Sequence, residues 1–207
     1  MTADPSPAQA LRADAARNRE RILIAAESLF LERGADASLD EVAKRAKVGI
    51  GTLYRRFPTR EALLAAMSDE RLLALAEASR ARDQSMPPDQ SIRQFMEELV
   101  IHTCHYRGLA ASLGAVLQSG TPGCHASQQE ATRQLKRAQD ADVLRQDVLL
   151  DDLVCVVMAI SLAVEQAGGS LSRVRHLTHL FIDGFSNPGR ALQVSDQRPA
   201  KPSRRSP

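Results

Sequence analysis

Between Lys44 and Arg60 the chain carries six basic side chains, Lys44, Arg45, Lys47, Arg55, Arg56 and Arg60, and no acidic one. Interleaved with them are Gly49, Gly51, the hydroxyl of Thr52 and the phenol of Tyr54. Cations with hydroxyl donors among them suit a polyphosphate partner, because each cation that meets a phosphate releases a condensed counterion. Arginine adds the ability to read guanine through two hydrogen bonds. A solvated face is the ordinary reason for a basic amphipathic stretch, but it does not explain the glycines. Each glycine inside a helix costs about 1 kcal/mol relative to alanine. Two of them within three residues argue for a compensating role, such as close approach by a partner.

A second group of reactive types lies further on, in "HTCHY" and "PGCHAS": His102, Cys104, His105, Cys124 and His125. Thiolate and imidazole together suit zinc or copper. Adjacent helical residues point about 100° apart, however, so a Cys-His neighbour pair does not ligate one ion together. Only His102 and His105 have a useful helical spacing. Three cysteines do not make a disulfide framework. The sequence therefore predicts no metal and no cofactor, with a metal- or redox-responsive device built from those five residues as the alternative. It offers no glycine-rich phosphate loop, no HExxH and no Ser-His-acid grouping, so an enzyme is not expected.

The elements that must position these residues read as helices. Hydrophobic residues make up 43 % and aromatics only 3 % of 207 residues, Trp is absent, and the net charge is +2. Ala and Leu dominate, which favours helix over strand. Ile22, Ala25, Ala26, Leu29 and Phe30 form one apolar stripe, which predicts a helix over about 17–33, ended by Gly34. In "SLDEVAKRA", Ser38 and Glu41 have capping-box spacing, and Leu39, Val42, Ala43 and Ala46 repeat the stripe. "KVG" is the only break before a third helix to Phe57, whose Ile50, Leu53 and Phe57 are expected to pack inward. Pro58 stops it, and Thr59 caps a fourth helix reaching about Arg82. "DQSMPPDQ" (83–90) reads as a linker. Beyond it helices are expected at about 91–106, 109–119, 124–142, 150–167 and 172–185.

Two short helices joined by about three residues and packed on a longer one form a helix-turn-helix, whose second helix enters the major groove. That arrangement gives Gly49 and Gly51 their purpose and leaves Thr52, Arg55 and Arg56 facing outward.

"RILIAAESLFLERGADASLDEVAKRAKVGIGTLYRRFPTREALLAAM" resembles the DNA-binding domain of the TetR/AcrR family of bacterial transcription regulators. The match covers about 17–67 and holds through the capped second helix, the "GTLY" core and the "PTREALL" entry to the fourth helix. Lys47 departs from the family, which usually has glycine in the turn. Gly49 stands where Ser or Thr often caps the recognition helix. The resemblance implies an all-α protein, a homodimer, and a repressor released from a palindromic operator by a small molecule. By position it places Gly49, Ile50, Gly51, Thr52 and Arg55 or Arg56 near bases. Ser38, Tyr54, Arg56 and Arg60 would hold phosphates, with Lys47 in the same basic patch.

The domain plan that follows is a disordered arm (1–16), a helix-turn-helix domain (17–67, with the motif at 38–57), a ligand-binding and dimerisation domain (68–186) and a disordered tail (187–207). "DDLVCVVMAISLAVEQ" is apolar on nearly every side and must be covered all round. It is too short to span a bilayer, and no secretory signal is visible, so a cytoplasmic protein is expected. The family plan makes helices 150–167 and 172–185 the dimer contact. Phe95, Met96, Leu99, Thr103, Tyr106, Leu113, Leu117 and Met158 are pocket candidates, chosen as apolar or weakly polar residues at helical spacing; plain core is the competing role for each.

Overall fold

The computed structural model describes residues 7–186, and the sequence readings for 1–6 and 187–207 lie outside the described residues. Nine helices and no named strand are found among the described residues: α1 (Pro7–Arg33), α2 (Leu39–Arg45), α3 (Ile50–Arg56), α4 (Arg60–Arg82), α5 (Pro88–Thr103), α6 (Leu109–Leu117), α7 (Pro122–Asp140), α8 (Leu150–Ala167) and α9 (Leu171–Phe185). None of these is long and apolar enough to cross a membrane.

Two helix starts differ from the sequence reading, for reasons of local chemistry. α1 begins ten residues early, at Pro7. Proline suits a first helical position, and the alanines, Leu11 and Arg12 that follow are strong helix formers. The chain needs no apolar stripe there to continue the helix. α5 begins inside the expected linker, with Pro87 extended as N-cap and Pro88 in the first turn. It also ends at Thr103, short of the expected 106, because the chain must turn at Gly108, which has φ +90°. That turn swings Tyr106 into the core, where it is almost wholly buried.

Two apolar cores result. The first joins Ile22, Leu29 and Phe30 of α1 to Val42, Leu53, Phe57 and Leu63, and continues into Leu72, Leu109 and Val116. The helix-turn-helix is therefore continuous in packing with α4 and α6. The second core holds Ile92, Met96 and Val100 of α5 against Leu153, Val157 and Ile160 of α8, with Val174 and Ile182 of α9. α8 is covered where it packs on α5, α6 and α9, while its face bearing Cys155, Ala159, Leu162 and Ala163 is exposed, so the all-round cover its apolar sequence called for is incomplete in the single chain.

α4 and α7 lie very close together. A Cβ on Gly123 would stand 2.2 Å from the Asp69 carbonyl oxygen, and its own N–H donates to Asp69 Oδ1 at 2.5 Å. Further along the same seam runs a buried polar network. Fully buried Glu130 accepts from Ser79 Oγ at 2.6 Å, Arg80 Nε at 3.1 Å and Arg133 Nε at 2.8 Å. Burial pushes the Glu130 carboxyl up, but those donors and Gln134 outweigh it and hold the group below the usual carboxylate range. Asp83, from the segment read as linker, pairs with Arg133 and with Arg137 at 2.8 Å.

Candidate nucleic-acid interface

The turn between α2 and α3 is closed by two reversed hydrogen bonds. Val48 N donates to Ala43 O at 3.0 Å and Lys47 N to Lys44 O at 3.1 Å. Such a helix end places one residue in the left-handed region, most often glycine. Here it is Lys47, with φ +54°. The family's usual glycine in this turn thus has a backbone reason, and Lys47 adopts the same conformation despite its Cβ. From α1, Arg21 Nη2 donates to the Lys47 carbonyl at 2.8 Å and holds the turn in place.

Gly49 is the extended N-cap of α3. A Cβ on Gly49 or on Gly51 would meet nothing within 4 Å. Neither glycine has a φ that demands it, so the fold gives no reason for either. Both are exposed: Gly49 precedes the helix at its N-cap, and Gly51 lies on the side of α3 opposite Leu53, which is fully buried and followed by buried Phe57. Ile50 was expected to pack inward with them. It stands 38 % exposed instead, one helical turn from Tyr54 at 48 %. Ser38 sits at the N-cap of α2 but makes no side-chain cap bond. Its expected capping-box partner Glu41 is taken by Arg33 Nη1, at 2.8 and 2.7 Å to its two oxygens. The Ser38 hydroxyl is therefore exposed and unengaged.

The six cations divide into two sets. Arg45 is held by Glu32, with bonds of 2.7 and 3.0 Å, and by Ser28 Oγ at 3.0 Å. Arg60 turns inward: its Nη1 donates to Ala35 O at 2.5 Å and Ala37 O at 2.6 Å, and its guanidinium lies over the Phe30 ring. In this structure Arg60 fastens the α1–α2 loop, a role the positional carry-over to phosphate did not foresee. Lys44, Lys47, Arg55 and Arg56 have exposed head groups with no partner among the described residues. Of these, Lys47, Arg55 and Arg56 lie within five residues of one or other of the two bare glycines along the chain, as do Thr52 and Tyr54.

The helical domain behind this surface holds a cavity of about 110 Å³ bounded by α4, α5, α6, α7 and α8. Met96, Leu99, Thr103, Leu113 and Leu117 line it, together with Leu72 of α4. Phe95, Tyr106 and Met158 do not. Phe95 is fully buried elsewhere, and Met158 packs on the second core. Tyr106 lies at the boundary with the helix-turn-helix, where its Oη donates to Glu27 Oε1 of α1 at 3.2 Å and accepts from Arg71 at 3.2 Å. Selecting by apolar spacing missed the polar lining residues His102, Gln118, Ser127, Gln128 and Asp151.

The Cys-His residues are not gathered. His102 faces the cavity, Cys104 Sγ lies 3.9 Å from Ser161 O, and buried Cys124 Sγ donates to Val116 O at 3.2 Å. His105 stacks edge-on to Tyr106, and His125 is exposed. No group of three or more His, Cys, Asp or Glu that could hold a metal is found among the described residues.

A helix-turn-helix that presents free cations and bare backbone, fused to a helical domain with its own cavity, defines the class of helical DNA-binding regulators. The model of the bacterial regulatory proteins of the tetR family matches residues 22–67, and that of the SbtR-like transcriptional regulator C-terminal domain matches 87–187. The chain belongs to the TetR family of transcriptional regulators. A TetR regulator from Streptomyces coelicolor is 30% identical, with 82% of this chain and 99% of that chain covered and a TM-score of 0.49. RolR in complex with resorcinol is 19% identical over 92% of this chain and 98% of its own, with a TM-score of 0.64. A gamma-butyrolactone receptor (ArpA-like protein) is 20% identical over 86% and 93%, with a TM-score of 0.52. The last two are likenesses of fold. None of the curated proteins compared with the chain matches it.

Proposed function

We propose that the chain is a homodimeric repressor that holds a palindromic operator through α3 and is released by a small molecule bound in the cavity. The observation that carries the DNA-binding part is the exposed N-cap and first turn of α3. It offers two glycines the fold does not need, flanked by cations that have no partner of their own. Bare backbone lets a phosphate or base edge come close, and free cations supply the counterion release. Within that reading Arg55 and Arg56 reach bases or phosphates, Tyr54 and Ser38 give hydroxyls to phosphates, and Lys44 and Lys47 add charge. Ile50, standing exposed at the start of α3, is suited to a thymine methyl.

A two-fold protein matches a palindromic site. The outer faces of α8 and α9 support the dimer: Cys155, Ala159, Leu162 and Ala163 on one, Leu180, Phe181 and Gly184 on the other, are exposed. Leu162, Leu180 and Phe181 together make an apolar face suited to an isologous contact. The effector reading rests on the cavity, whose Leu72 belongs to α4, the helix that enters the DNA-binding domain at Arg60. We place the boundary between the two domains within α4, near residue 67.

The test is binding of the full chain to duplex from its own upstream intergenic region at several salt concentrations, beside Arg56→Ala and Tyr54→Phe. Selective, salt-dependent binding weakened by both substitutions is expected. Binding indifferent to both, with no site recovered from random duplexes, would overturn the reading.

A further inference from the structure

Resting on the effector reading, we infer that the cavity takes a small neutral hydroxylated molecule of single-ring size, whose hydroxyl is held by His102 and Ser127. The lining sorts by depth. Met96, Leu113, Leu153 and Val157 form an apolar interior, while Gln118 and Asp151 are exposed at a mouth between the end of α6 and the start of α8. Two polar side chains lie buried in the wall, His102 at 9 % and Ser127 at 2 % exposure. Neither has a hydrogen-bond partner on its side chain among the described residues.

The other interior polar groups are occupied. Thr103 Oγ1 donates to Leu99 O at 2.8 Å, and Gln128 Nε2 donates to Leu117 O at 3.2 Å. Buried polar groups are normally paired, so two unpaired ones facing one apolar space point to a partner that arrives from outside. Burial, with Arg71 and His105 nearby, pushes the His102 imidazole down to about 4, so it is neutral near pH 7. A neutral imidazole offers one donor and one acceptor, and a serine hydroxyl offers both. A ligand hydroxyl, itself donor and acceptor, satisfies that pair.

Charge and size narrow the class. No lysine or arginine lines the cavity, and the one ionisable acid, Asp151, is at the mouth. An anion would be desolvated without a cation and would pass a carboxylate on entry. A cation would leave water for an interior with no counter-charge. The volume of about 110 Å³ is comparable to the roughly 150 Å³ engineered apolar cavity that admits benzene. One ring with one hydroxyl fits that scale, and a phenol remains protonated near neutrality as tyrosine does.

The experiment is calorimetric titration of the full-length chain with phenol, benzene and benzoate, repeated on His102→Leu and Ser127→Ala. A purely apolar cavity prefers benzene, since burying an unpartnered hydroxyl is unfavourable. The parent is expected to reverse that order and bind phenol about tenfold more tightly than benzene, with no detectable benzoate binding. His102→Leu should restore the preference for benzene, and Ser127→Ala should shrink the phenol advantage severalfold. Benzene binding as tightly as phenol in the parent would overturn the inference. So would benzoate binding comparable to phenol, or an undiminished phenol preference in His102→Leu. Because the ligand series is run on the parent, the inference stays testable if a variant fails to fold. Operator release is measured separately: phenol that binds with this preference yet leaves the operator occupied sinks the effector reading and leaves the ligand class standing.

Discussion

Lys47→Gly separates two roles that one residue combines. Lys47 closes the α2–α3 turn at φ +54°, a conformation that sets a side chain's Cβ against the following carbonyl. For a residue other than glycine that conformation costs about 1–2 kcal/mol. Glycine removes the clash but loses about 0.5–1 kcal/mol more backbone freedom on folding. The difference leaves a net stabilisation of about 0.5–1 kcal/mol. In a chain of this size that is roughly 1–4 °C in Tm. The reversed hydrogen bonds and the bond from Arg21 to the Lys47 carbonyl are main-chain features that the substitution retains. The exposed ammonium, meanwhile, disappears. If Lys47 meets a phosphate, the log affinity–log salt slope should flatten by about 0.9 per protomer, or roughly 2 for a dimer. Thermal unfolding reads the first effect and operator binding between low and moderate salt reads the second. Lys47→Ala is the control, since it loses the charge but keeps the Cβ: it should match Lys47→Gly in salt slope and gain no stability. If Lys47→Ala proves as stable as Lys47→Gly, the left-handed turn stores no strain and the backbone account of the family's glycine is refuted. An unchanged slope in both would remove Lys47 from the phosphate contacts.

Gly51→Ala should stabilise the free protein by up to about 1 kcal/mol, because its new methyl meets nothing within 4 Å, yet weaken operator binding about tenfold; urea unfolding and duplex titration on the same preparation check both signs, and a stabilised variant with full affinity would show that nothing approaches that backbone. His102 gives a pH signature. Burial first, then Arg71 and His105, lower its folded value to about 4 against an ordinary 6.5, so the unfolded chain binds the extra proton between those values. Its contribution is complete above pH 6.5 and is lost as pH falls toward 4, by about 3 kcal/mol in all; His102→Leu should flatten the urea midpoint across that window, and an equally steep pH dependence in the variant would assign the effect to other groups.

What the sequence carried and what it did not follow from the range of the forces involved. The helix-turn-helix was legible because its signals are local: a periodic stripe, a three-residue break, a run of like charge. Thr59, read as a cap, does accept from Ala62 N at 3.1 Å. Ser38 and Glu41 have the same kind of local spacing, but Arg33 lies eight residues before Glu41 and competes for it through a charged bond that a capping pattern does not display. Arg45 and Arg60 illustrate the same limit. Six cations in a row of sequence look alike, and only the fold reveals that Glu32 neutralises one and two loop carbonyls occupy another. The cavity was least legible of all. Its wall draws on five helices, and His102 and Ser127 stand out from its other buried polar residues by lacking a partner, which is a property of the assembled structure.

The positions of these groups also bear on how a filled cavity could reach the DNA-binding helices. His102 and Thr103 end α5 in the cavity wall, and the five residues that follow are the turn docked on the helix-turn-helix domain. There Arg107 O accepts from Ala35 N at 2.7 Å, and Tyr106 joins Arg71 of α4 to Glu27 of α1. Gly34 is packed so tightly beneath that turn that a Cβ would lie 2.9 Å from the Arg107 carbonyl oxygen. Interiors packed at this density shift between discrete arrangements more readily than they deform continuously. Under the proposed function, a ligand that repositions the last turn of α5 would act on the α1–α2 loop through the Ala35–Arg107 bond, as well as through Leu72 of α4. That same loop carries the carbonyls that hold Arg60, at the entry of α4 and one residue beyond its Thr59 cap. In the proposed function, the two routes from the cavity would converge on this one joint, where Arg60 ties the entry of α4 to the α1–α2 loop.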